Sequence, residues 1–146
     1  MIAQTIQLAL APVFVLVAIG NIMNLLSSRL GRVVDRSREL QKMHGSTQGA
    51  DHDMVVREIR LIDRRIDLIG KAILTMVLSG LSIGLTVAIL FVEEVIESDL
   101  QQVAATTFII AVALLMYALL LFLRETRAAS AALRIPADYL ELERTL

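Results

Sequence analysis

Three apolar runs without a single Asp, Glu, Lys or Arg, residues 8–26, 72–92 and 103–123, constrain this chain more than anything else in it. Each is about 20 residues long, the length at which a helix rising 1.5 Å per residue crosses a hydrocarbon core of roughly 30 Å. Backbone polar groups have no water to turn to at that depth, so an uninterrupted apolar run of this length has to be helical. The expected fold is therefore all-α: a three-span transmembrane protein in which residues 1–146 form a single membrane domain. Residues 27–71 join spans one and two, and residues 124–146 form a tail.

The charges give the topology. Ten of the 14 basic residues lie between Arg29 and Lys71, and four lie from Arg124 onward. The segment before span one has none, and neither has the loop of residues 93–102. Lys and Arg accumulate on the cytoplasmic side of short loops, which places residues 27–71 and the tail inside and the N-terminus and second loop outside. A cleaved signal peptide is the competing reading of the first run. It needs a basic leader, and residues 1–7 carry no charged side chain.

Span one does not stop at the membrane. Leu26, Leu30, Val33, Leu40 and Met43 continue an apolar stripe at helical spacing. The stretch HGSTQGADHD, residues 44–53, breaks it, with Asp51 or Asp53 suited to cap the next helix. From Met54 the stripe resumes as Val55, Ile59, Ile62, Ile66, Ile69, Ile73 and Met76, in steps of four and three that run into span two. Spans one and two are thus the membrane halves of a long antiparallel helical hairpin that projects into the cytoplasm. Arg57, Arg60, Arg64 and Lys71 share a face of its second arm beside Asp63 and Asp67. They form either a solvated face or a docking surface for anionic lipid or a partner. Seven acids intersperse the ten bases of the segment and aromatics are few, which argues against nucleic acid.

Polar residues inside the spans are the candidates for function. Asn21 and Asn24 share a face of span one, with Ser28 one turn on. An unpaired amide in hydrocarbon costs several kcal/mol, so this face is either interhelical glue or the lining of a pore in an oligomer. Gly80 and Gly84 form a G-x-x-x-G pattern that permits close helix packing, within one copy or between copies. Glu93, Glu94, Glu97 and Asp99 crowd the outer loop, where they are either simply solvated or, repeated around an oligomer axis, attract cations. Pro12 lies near the start of span one and reads as a helix-start device, with residues 6–11 before it as a separate turn or an interfacial approach, and Pro136 ends the helix of span three. Residues 138–146 could form a short amphipathic turn.

Enzyme chemistry is not expected. Cysteine is absent, His44 and His52 match no compact metal motif, and no nucleophile set or phosphate loop occurs. An intramembrane enzyme or proton-coupled transporter normally keeps an ionisable group inside a span, and these spans have none. No catalytic residue, metal ligand or cofactor is assigned.

Several strings resemble a family of small bacterial membrane proteins catalogued as domain of unknown function 2721. They are Leu8-Ala9-Leu10-Ala11-Pro12-Val13-Phe14, then Asn24, Arg29 and Val34-Asp35-Arg36, then Arg64-Arg65-Ile66-Asp67-Leu68-Ile69, and finally Phe122-Leu123-Arg124-Glu125. The likeness covers nearly the whole chain. It implies a three-span protein of the bacterial inner membrane and supplies no activity. The functional expectation is a homo-oligomeric membrane protein whose span-one face lines an ion pathway. The alternative is a non-conducting scaffold that docks a partner through the hairpin.

Overall fold

The computed structural model describes residues 2–133, all of them in three helices and their short connections. Helix α1 runs Ile2–His44, α2 runs Ala50–Ile96 and α3 runs Gln101–Ala132. At 1.5 Å per residue, α1 and α2 are about 65 and 70 Å long and α3 is about 48 Å. Expectations about Pro136 and residues 138–146 fall outside the described residues.

Helix α1 ends where the Met43 carbonyl accepts hydrogen bonds from the Ser46 amide (3.0 Å), the Ser46 hydroxyl (3.1 Å) and the Thr47 hydroxyl (2.9 Å). These satisfy a carbonyl that the helix itself leaves orphaned. The next helix begins earlier than the Asp51 or Asp53 cap expected from sequence. Gly49 is its N-cap, and its carbonyl already accepts from the Asp53 amide at 3.2 Å. Asp51 and Asp53 instead occupy the first turn, where their charge complements the positive end of the helix dipole. Gly49 holds φ 66° and ψ −136°, a backbone state closed to side-chain-bearing residues at low cost. Gly49→Ala is expected to destabilise the hairpin tip by about 1–3 kcal/mol. Gly45 has no such φ, so Gly45→Ala serves as the near-neutral control in thermal unfolding of the purified protein.

Two further differences concern helix ends. Pro12 lies inside a continuous α1 rather than at its start, and is buried there. As the eleventh residue of α1 it removes one interior helix hydrogen bond, a loss tolerated where packing holds the chain. The second loop is also shorter than residues 93–102, because α2 continues through Ile96 and stops at Glu97 in the left-handed conformation. Glu93 and Glu94 therefore stand on the last turn of α2.

The buried residues of α1 repeat in sevens as Thr5, Pro12, Ile19, Leu26, Val33 and Leu40. Those of α2 do the same through Val55, Ile62, Ile69, Met76 and Ile83, with a second row of Ala72, Ser79 and Thr86. One row faces α1 and the other faces α3, as expected for a helix packed on two sides. Helix α2 is accordingly the central element, while α1 and α3 scarcely approach each other. Both pairings are antiparallel along their length. Thr5 meets Glu94 and Arg36 meets Glu58 across α1–α2, while Thr86 meets Thr107 and Arg65 meets Glu125 across α2–α3.

This register puts the three apolar runs side by side at one level. Gly80 lies beside Leu16 and Ile19, and Ser79 bonds to Ala111, so the middles of all three runs coincide. Around that level the surface is apolar: Phe14, Leu74, Leu81, Leu85, Ile109 and Leu120 are all more than 50% exposed. All three helices are long and apolar enough to cross a membrane. Beyond the slab, α1 and α2 continue together as a two-helix projection to the tip at residues 45–49.

Candidate functional site

Glu125 is the feature that packing alone does not explain. In α3 the buried alanines Ala104, Ala111 and Ala118 fall seven apart, and Glu125 occupies the next position of the same row. A carboxylate thus takes the place of a core alanine, with 0% exposure. Arg65 of α2 reaches it with two donors, Nε at 3.1 Å and Nη2 at 3.0 Å, both to Oε1. Arg29 of α1 places Nη1 3.3 Å from Oε2, an ionic contact without hydrogen-bond alignment. That same Nη1 donates to the Thr126 hydroxyl at 3.1 Å. The Arg29 guanidinium also stands over the Phe122 ring, 5.2 Å from its centroid, a cation–π contact. One buried acid and two guanidinia thereby join all three helices, just past the tip-side ends of the apolar runs.

The two arginines are 22% and 21% exposed, against 0% for the carboxylate. Their long stems lie in the core while their heads reach its edge. Sequence reasoning singles out none of the three as a site, although all stand in the strings that carry the family resemblance. The signal that marks Glu125 is its period: a lone acid continuing a seven-residue row of alanines.

The Ala row has a second consequence. It lets α2 come close enough for the Ser79 hydroxyl to donate to the Ala111 carbonyl at 2.7 Å and for the Thr86 and Thr107 hydroxyls to lie 2.9 Å apart. Small residues with hydroxyls across a close contact are how apolar helices associate in lipid. Of the G-x-x-x-G pair, Gly80 faces Leu16 and Ile19, where an added Cβ would sit at an ordinary 3.7–4.0 Å. Gly84 is exposed, with open space around it.

Asn21, Asn24 and Ser28 lie on the outer surface of the three-helix unit, all exposed. The neighbouring Gly20, Ser27 and Gly31 are exposed as well, so this side of α1 is a strip of small and polar residues. Leu26, in the middle of the same stretch, points the other way and is fully buried against α2.

At the end remote from the tip, Glu93, Glu94, Glu97 and Asp99 line a single cavity of about 550 Å³ with Gln4 and Thr5. The Thr5 hydroxyl donates to Glu94 Oε2 at 2.9 Å. Among the described residues no three acids or histidines come close enough to hold one metal ion. Arg57, Arg60, Arg64 and Lys71 are exposed along α2, with Lys71 paired to Asp67 at 2.8 Å. Arg36 bridges the two arms, 2.8 Å from Glu58 and 2.7 Å from Glu39. Those hydrogen bonds, to Glu58 first, raise its pKa and hold it more firmly protonated than usual.

No curated protein and no solved structure matches the chain at a significant level. One family model does, described as "Protein of unknown function (DUF2721)", over residues 9–135, a range that includes Asn21, Asn24, Arg29, Arg65 and Glu125. Since that match takes in nearly the whole molecule, the chain belongs to this family.

Proposed function

We propose that the chain is a non-catalytic integral membrane protein of the bacterial plasma membrane that self-assembles through the polar strip of α1 and lines a cation-conducting path with it. The hairpin tip and the C-terminus lie in the cytoplasm and the acidic cavity faces out, following the Lys and Arg bias. The observation that carries the reading is the exposure of Asn21 and Asn24 within the apolar slab. Two carboxamides facing hydrocarbon cost several kcal/mol each on alkane-type scales. Covering them with a second copy, or with water along a shared axis, removes that cost.

Absence of native cysteine makes the test clean. In Asn24→Cys, cross-linking between copies in native membranes together with labelling by an impermeant thiol reagent is expected. Cross-linking without reagent access replaces the wetted axis by a dry amide contact and favours the second reading. Absence of both removes the assembly. That second reading is a non-conducting scaffold. It is favoured by Arg57, Arg60 and Arg64, which make no ion pair among the described residues and lie along an arm projecting about 30 Å from the slab.

A further inference from the structure

Arg29, Arg32 and Arg36 recur at steps of three and four along one face of α1, and Arg65 of α2 joins them around a cavity of about 510 Å³ on the tip side of the slab. Among the described residues Glu58 is the sole acid in its lining, and the rest of the wall includes Leu61, Ile62 and Leu133. We propose that this cavity binds the phosphate of an anionic phospholipid, with the acyl chains descending along the apolar flank of the slab.

Three observations support that occupant. The first is depth. Arg29, Arg32 and Arg65 stand a few residues beyond the ends of the apolar runs, about 5–10 Å along the axis, which is where headgroup phosphates lie. The second is spare donor capacity. A guanidinium carries five N–H groups in a planar fork suited to phosphate. Arg65 commits Nε and Nη2 to Glu125, and Arg29 commits Nη1 to Glu125 and Thr126. Both keep further donors, and Arg32 makes no ion pair among the described residues. The third is the mixed wall: arginines together with aliphatic side chains match a headgroup and the first carbons of its chains. Among the described residues, four arginines against Glu58, Glu39 and the buried Glu125 leave the locality positive. The cytoplasmic leaflet, the side assigned to the tip under the proposed orientation, is the one rich in anionic lipid.

Full-length protein purified in mild detergent is mixed with phosphatidylglycerol or phosphatidylcholine and examined by native mass spectrometry. One phosphatidylglycerol per chain is expected to be retained in preference to phosphatidylcholine. Arg32→Gln/Arg36→Gln is expected to lower that retention about tenfold or more, because neither residue contacts Glu125. Arg57→Gln/Arg60→Gln/Arg64→Gln, on the exposed face of the same arm, is expected to leave it unchanged. Equal losses in both variants would mean diffuse surface attraction and overturn the site, as would no preference between the lipids. Displacement by millimolar inorganic phosphate would make the ligand a soluble anion and overturn the lipid assignment. Binding that appears only after residues 134–146 are removed would identify the chain's own tail as the occupant and overturn it too. Far-UV circular dichroism of each variant reports folding separately. Asn24→Leu, which bears on the proposed conduction, is expected to retain the lipid, so the two readings fail independently.

Discussion

Arg65→Ala is expected to lower stability by about 3–5 kcal/mol, because it leaves a buried carboxylate with only the unaligned ionic contact from Arg29 and no guanidinium hydrogen bond. Glu125 is wholly buried, and Arg65 supplies both of the hydrogen bonds made to it by guanidinium. Removing the acid instead should cost less. In Glu125→Gln the amide keeps the volume, and the two arginines, each about one-fifth exposed, can turn their heads outward. A loss of about 1–3 kcal/mol is expected there. Replacing all three by leucine (Arg29→Leu/Arg65→Leu/Glu125→Leu) should recover most of the loss, since well-packed apolar groups often equal or surpass a buried ion cluster. The measurement is reversible unfolding in mixed micelles, followed by helical circular dichroism. Equal effects of Arg65→Ala and Glu125→Gln would show that the carboxylate is not sealed as described.

The asymmetry matters for architecture. Among the described residues, the hydrogen bonds and ion pairs from α1 to α3 all come from Arg29. Helix α3 is otherwise held, among the described residues, mainly through α2, by the Ser79–Ala111 and Thr86–Thr107 contacts and the alanine row. Hydrogen bonds of that kind average under about 1 kcal/mol each between membrane helices. The charge cluster therefore specifies which side of the hairpin α3 occupies and at what height, a role attested for buried polar groups elsewhere as a device for register.

Much of the fold is legible in the sequence because it rests on period and length. The uncharged runs mark the spans, and the seams through Leu26, Val33 and Leu40 and through Val55, Ile62, Ile69 and Met76 are buried as their spacing requires. Helix ends are harder to read. Asp51 and Asp53 look like caps, yet Gly49 can adopt a backbone state they cannot, and the helix starts there. Pro12 looks like a boundary, yet packing against α2 carries the helix through it. The charge cluster is the least visible part. Arg29, Arg65 and Glu125 are 36 and 60 residues apart, so only the registers of two separate helix pairings bring them together. The cavity beside Glu93, Glu94, Glu97 and Asp99 likewise depends on the first turns of α1, which supply Gln4, Thr5 and Leu8 to its wall, lying against the end of α2.

On the proposed reading, Asn24→Leu is expected to reduce ion flux from proteoliposomes to background while leaving cross-linked assemblies in place. Leucine keeps the branched four-atom skeleton of asparagine with somewhat more bulk, so apolar contacts between copies survive. What disappears is the carboxamide, and a ring of leucines at that level would favour drying of the axis over hydration. Asn21→Leu, one turn deeper in the slab, should act in the same direction. If the amides serve only as glue, the same substitution instead weakens assembly by about 1 kcal/mol per contact and has no flux to abolish. The acids at the outer end supply an independent check. Glu97→Gln/Asp99→Asn removes two exposed charges from the mouth of the cavity without touching the buried helix contacts. It is expected to lower the preference for cations over anions, more strongly at low ionic strength where screening is weak. Unchanged flux in Asn24→Leu, or unchanged selectivity with the outer charges gone, would move the axis away from α1 and leave the polar strip as an interface alone.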